Sequence, residues 1–135
     1  MSTVLERYRD LSNFEYFNTA TKVRKEITAL VTSEALPKSY RFVLAVPMAE
    51  TARKLVYNLV TANAFYPNTE HNVLQRRHYM TLAVADCEQL LQDLQCLIEL
   101  NVVKVSRCAR IAESVETTAK LIKGARKGVK LIGKG

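Results

Sequence analysis

Between residues 80 and 98 the chain places Met80, Val84, Cys87, Leu91, Leu94 and Ile98 at steps of 4, 3, 4, 3 and 4. An α-helix turns about 3.6 residues at a time, so this spacing lays the apolar side chains along a single face. Leu90 and Leu97 widen that face to the breadth of a helix packed against two neighbours. Such a helix is stabilised mainly by burying its stripe, so it needs partners.

The same chain supplies them. Tyr16, Ala20, Val23, Ile27 and Leu30 repeat the pattern, and Ser12 with Glu15 has the spacing of a capping box, which predicts a first helix over 12–34. The mixed segment before it, with Val4, Leu5 and Tyr8, adds at most a packed turn. In "SEALPKSYRF", Pro37 biases Leu36 away from helical geometry, and the chain turns there. A second helix is predicted over 39–65, with Phe42, Val46, Met48, Ala52, Leu55, Val56 and Leu59 facing inward. Pro47 within it removes one backbone hydrogen bond and is expected to kink it. "FYPNTEHN" is the next break. The long third helix then covers 70–101, closing at Asn101 as a C-cap. Val105, Cys108, Ala112, Val115, Ala119 and Ile122 define a fourth over 104–131.

With 4 glycines and 3 prolines in 135 residues, turns are few and elements must be long. Strand-like alternation is absent. One domain, residues 1–135, is expected: an all-α, antiparallel, up-down-up-down four-helix bundle joined by short breaks.

Bundles often hold metals in their cores, but the di-iron pattern needs Glu-x-x-His on two helices. His71 and His78 are the only histidines, and neither follows a glutamate by three residues. No P-loop, dinucleotide fingerprint or GxSxG occurs, and GARKG lacks phosphate-loop spacing. No catalytic residue, metal or cofactor is expected; the protein is read as a non-enzyme. Cys87, Cys96 and Cys108 are an odd number without a CxxC pair, and no secretory leader is evident, so a reducing cytoplasm is the expected setting. No apolar run approaches the roughly 18 residues of a membrane span.

Charge points elsewhere. The formal net charge is +7, and residues 1–103 sum to zero. The excess lies in residues 104–135, where nine Lys and Arg face only Glu113 and Glu116. Lys120, Lys123, Lys127, Lys130 and Lys134 recur at steps of 3, 4, 3 and 4. On a continuing helix they fall within an arc of about 80°. Gly124 and Gly128 weaken that helix toward its end. Arg126 lies within the same run, Arg76 and Arg77 open the third helix, and Arg107 and Arg110 lie on another side of the fourth. A localised positive field of this kind suits an acidic partner, whether nucleic acid, an anionic membrane or an acidic protein surface. A membrane ranks lower because the apolar face of this run lacks Trp and Phe, and RNA or DNA held through its phosphates is the expected partner. Contact with about five phosphates predicts a slope of log K on log salt of about −3.5 to −4.5.

The breaks and the tail together resemble a known family. "LPKSYRF" at the first junction, with Leu36, Pro37, Lys38, Arg41 and Phe42, is followed by "RRHYMTLAVADCEQLLQDLQCLIEL" and then "KLIKGARKG". Their order and spacing over residues 11–130 resemble the four-helix-bundle family of Avd, the accessory variability protein of diversity-generating retroelements. Related bundles are encoded in intervening sequences of bacterial large-subunit ribosomal RNA genes, and a generic RNA-binding or scaffold role of that type is the alternative. The resemblance implies a homopentameric, ring-shaped assembly that binds the retroelement's reverse transcriptase and its RNA and supports mutagenic cDNA synthesis. Two departures stand out: Ala125 where relatives often carry tryptophan, and Pro47 where relatives continue an unbroken helix.

Overall fold

The computed structural model describes residues 10–132. Among them are four long α-helices and no strand: α1 (Glu15–Val31), α2 (Val46–Ala64), α3 (Glu70–Leu100) and α4 (Val105–Lys127). Each helix packs against its neighbours in sequence, and α1 also packs against α4, so the four form a closed bundle. Val4, Leu5, Tyr8 and Lys134 lie outside the described residues.

The apolar stripes meet at the centre. Ala20, Val23, Ile27, Leu30, Met48, Ala52, Leu55, Leu59, Met80, Cys87, Leu90, Leu94, Leu97, Val115 and Ile122 are all buried. Val105, expected inside, is exposed in the first turn of α4. Helix ends account for most other differences. Phe14, not Ser12, is the N-cap of α1, and no side chain caps it, which places Glu15 in the first turn instead of at the far side of a capping box. Thr69 caps α3 by accepting the Asn72 N–H at 3.1 Å, as a threonine at that position does. Asn101 ends α3 with φ 57° and ψ 36°, the left-handed C-cap its residue type favours.

The second helix is divided rather than kinked. A short 3-10 turn (Lys38–Tyr40) leads into a π-helical turn (Arg41–Ala45), and only then does α2 begin. Pro47 therefore lies in the first turn of α2, where a missing N–H costs nothing. The Val46 N–H reaches back five residues to the Arg41 carbonyl. That extra residue per turn shifts the phase of the stripe, so Leu44 and Ala45 enter the core. Phe42, expected inward, is 79% exposed, and Val43 beside it is 68% exposed. Val46 also faces out at the rim of a groove of about 740 Å³ lined with Leu36, Pro37, Arg41, Ala45 and Ala49.

One polar pair links α2 to α3, with the acid buried and the amide half-buried. Asp86 is only 6% exposed. It accepts a hydrogen bond from Asn58 Nδ2 at 2.7 Å. Burial raises its carboxyl pKa, opposed in part by the Asn58 hydrogen bond and by Lys54. The raised value means that the neutral acid suits the folded state. Its stabilising contribution is complete below the unfolded pKa and is lost as pH rises through the folded one. Asp86→Asn keeps an acceptor for Asn58 and is expected to stabilise the protein at pH 7 by on the order of 1 kcal/mol. The gain should vanish as pH falls toward the ordinary carboxylate range; urea denaturation at neutral and acidic pH checks it.

Candidate nucleic-acid interface

Helix α4 stops at Lys127, short of the predicted end at residue 131. It runs through Gly124 without a break, and the Gly128 N–H closes it on the Gly124 and Ala125 carbonyls. Beyond it the chain leaves helical geometry and folds back over the bundle end. Val129 is buried. The Ile132 N–H donates to the Pro67 carbonyl at 2.8 Å, and Arg77 Nη2 donates to the Val129 carbonyl. A buried valine and two hydrogen bonds to segments outside α4 outweigh the modest gain of another helical turn that would begin with Gly128.

This changes the lysine edge. Lys120, Lys123 and Lys127 remain on α4 and are exposed, spread over about 60° of its circumference and about 10 Å of its length. Lys130, placed on the same helical edge by its spacing, instead projects from the folded-back segment, where it too is exposed. Glu113 and Glu116 occupy the same edge earlier in α4, so the positive charge is confined to the C-terminal half. That order also complements the helix dipole, whose C-terminal end favours cations.

Two arginines meet this end at the α3–α4 seam, Arg126 from α4 and Arg77 from α3. Arg126 Nη1 donates to Thr81 Oγ1 at 3.1 Å, and Thr81 Oγ1 donates to the Arg77 carbonyl at 3.0 Å. Arg77 itself is exposed and holds the folded-back segment. Lys120, Lys123, Arg126, Lys127, Lys130 and Arg77 thus form one cationic region, with both arginines partly committed to holding it together.

The other predicted cations are elsewhere. Arg107 lies toward α1 and donates to Ser33 Oγ at 3.4 Å. Arg110 lines a separate groove of about 290 Å³ with Thr19, Lys22 and Glu113. Arg76 turns inward, where its guanidinium donates to the carbonyls of Ala62, Asn63 and Phe65 at 3.5, 3.5 and 3.2 Å. It fastens the end of α2 instead of facing solvent. Beside it the Tyr16 phenol is raised by burial and pulled back by Arg76.

Two of the three thiols are buried. Burial, then Asp86 and Glu88, push the Cys87 thiol up to about 12, which leaves it protonated at neutral pH. Burial also raises Cys108. His71 meets the Phe65 ring edge-on and His78 meets Tyr79. Among the described residues no group of three His, Cys, Asp or Glu is placed to hold a metal ion, and no helix is long and apolar enough to cross a membrane.

One basic cluster escaped the sequence reading. Arg24 of α1 and Arg53 of α2 both lie over the ring of Tyr57, 5.6 and 4.7 Å from its centroid. Arg53 and Tyr57 share helical i, i+4 spacing, but nothing in the linear order brings Arg24 to them. No protein-family model matches the chain, and no curated protein matches it in sequence.

Proposed function

We propose that this protein is an accessory, non-enzymatic bundle that holds nucleic acid for a reverse transcriptase, as the Avd-like family does. It binds template RNA or cDNA through phosphates while the polymerase carries out error-prone synthesis. The observation that carries the reading is the joining of Lys120, Lys123, Lys127 and Lys130, all exposed, with Arg126 and Arg77 at one end of the α3–α4 seam. Ammonium groups at this spacing meet successive phosphates without selecting a sequence.

Short connections make neighbouring helices antiparallel, in up-down-up-down order. Copies assemble into a ring, five as in the resembling family, and the exposed Phe42 and Val43 supply apolar surface for such contacts or for the polymerase. Repetition around a ring raises effective affinity without new chemistry. The setting is the reducing cytoplasm, away from membranes.

Purification alongside the retroelement's reverse transcriptase tests the reading. A polymerase complex that survives nuclease treatment, with a mass by light scattering of several 15.3 kDa subunits, is expected. Loss of the polymerase with the nucleic acid would leave a plain RNA binder of the intervening-sequence type. A monomer that ignores RNA at low salt would overturn both.

A further inference from the structure

We infer that Arg24, Arg53 and Tyr57 form a second contact for single-stranded nucleic acid, on the side of the bundle away from the lysine edge. The inference rests on the reading of the protein as a nucleic-acid binder and adds to it a surface on which unpaired bases stack. The α1–α2 and α3–α4 seams are opposite sides of the closed ring of helix contacts. The two clusters therefore face different ways.

Two guanidinium groups repel each other, yet here both converge on one ring, whose electron-rich face attracts each. Glu50 in α2 and Glu26 in α1 are the nearest acids in sequence, against Arg24, Lys25, Arg53 and Lys54, so the surrounding segments carry a net positive charge. Tyr57 keeps 47% of its surface exposed. Its phenol is pulled below the ordinary value by the Arg53 hydrogen bond and charge and, to a lesser extent, by Arg24. The site thus combines a half-exposed aromatic ring, two planar cations lying over it and a surplus of positive charge.

Those are the parts of a single-strand platform. Unpaired bases stack on tyrosine rings and on guanidinium planes, while the adjoining phosphates take the charge. A duplex hides the faces of its bases and gains only the electrostatic part. The lysines of α4 lack this capacity, because an ammonium group is a point charge with no flat surface. The two sides therefore divide the work: α4 holds phosphates in any nucleic acid, and the α1–α2 site favours unpaired strands.

Fluorescence anisotropy with a labelled single strand and a duplex of equal length tests this. Tyr57→Ala changes no charge, yet is expected to weaken single-strand binding at least about fivefold. Duplex binding should change less than about twofold, and Tyr57→Phe, which keeps the ring, should bind as the unaltered protein does. Arg24→Gln with Arg53→Gln should reduce the single-strand salt slope by about 1.4. Lys38→Gln with Lys104→Gln, two exposed cations outside α1 and α2, should reduce it by less than half as much. Thermal melts establish that each variant is folded, and if Tyr57→Ala is not, the arginine pair against its control decides. Single-strand binding untouched by Tyr57→Ala, or an arginine pair no different from its control, overturns the second contact while leaving the lysine edge standing. If the unaltered protein binds no strand at low salt, both readings fall.

Discussion

A variant with Lys120, Lys123, Lys127 and Lys130 all replaced by glutamine is expected to bind RNA about 10²-fold more weakly at roughly 0.15 M salt. The size follows from counterion release. Each phosphate neutralised on a single strand contributes about 0.7 to the salt exponent, which at this ionic strength is about a fourfold gain in affinity. Four such contacts multiply to about 200-fold, and the slope of log K on log salt should fall by about 2.8. Near 1 M salt the variant and the unaltered protein should bind alike, because releasing ions into a concentrated solution gains nothing. The loss should be the same for unrelated RNA sequences, since phosphates carry no sequence information. All four residues are exposed, so the thermal melt should move little. Salt-dependent anisotropy titrations provide the measurement, and undiminished binding would remove the basis of the proposed function.

Arg76→Met should do the reverse. It is expected to cost about 2–3 kcal/mol of stability, a fall of roughly 10 °C in melting temperature, while leaving RNA affinity unchanged in the folded protein. The last carbonyls of a helix have no partners within it, and a cation among them also meets the negative end of the dipole. Arg76 serves the α2 end in this way, touching three carbonyls and also Asn63 Oδ1 at 3.4 Å. Each contact is long, so the effect comes from charge shared among several acceptors and not from one strong bond. Methionine retains the apolar stem, which confines the loss to the guanidinium. A second readout is available at Tyr16, whose phenol Arg76 pulls down against burial. Without the arginine that phenol should titrate at still higher pH. A variant that melts normally but loses RNA would return Arg76 to the binding surface.

These two variants separate cations that look alike in linear order. Arg76 and Arg77 are adjacent, yet about 100° of helical rotation turns one into the bundle end and leaves the other exposed on the α3–α4 seam. A basic pair at the head of a helix reads as positive field, and only the packing of α2 and the folded-back tail shows what each side chain touches. Pro47 is a comparable case. Its missing N–H was evident, but a kink and a widened π turn satisfy that restriction equally well, and they send Phe42 to opposite sides. The Arg24–Tyr57–Arg53 cluster left no mark in the sequence beyond the Arg53–Tyr57 spacing, because its third member comes from another helix.

Helical periodicity determined the number of long helices and most of their buried faces, and the distribution of charged residues along the chain placed the excess in its last quarter. Those properties are local: they depend on spacing along a single element, and burying an apolar stripe stabilises it against almost any suitable partner. Tertiary structure alone decided where α4 ends, which arginines remain available and which cations meet across a seam. Those outcomes turn on competition among contacts from distant segments, each of small energy. Val129 and the Pro67 carbonyl prevailed over one more helical turn, and no count of residues along the chain could have weighed them.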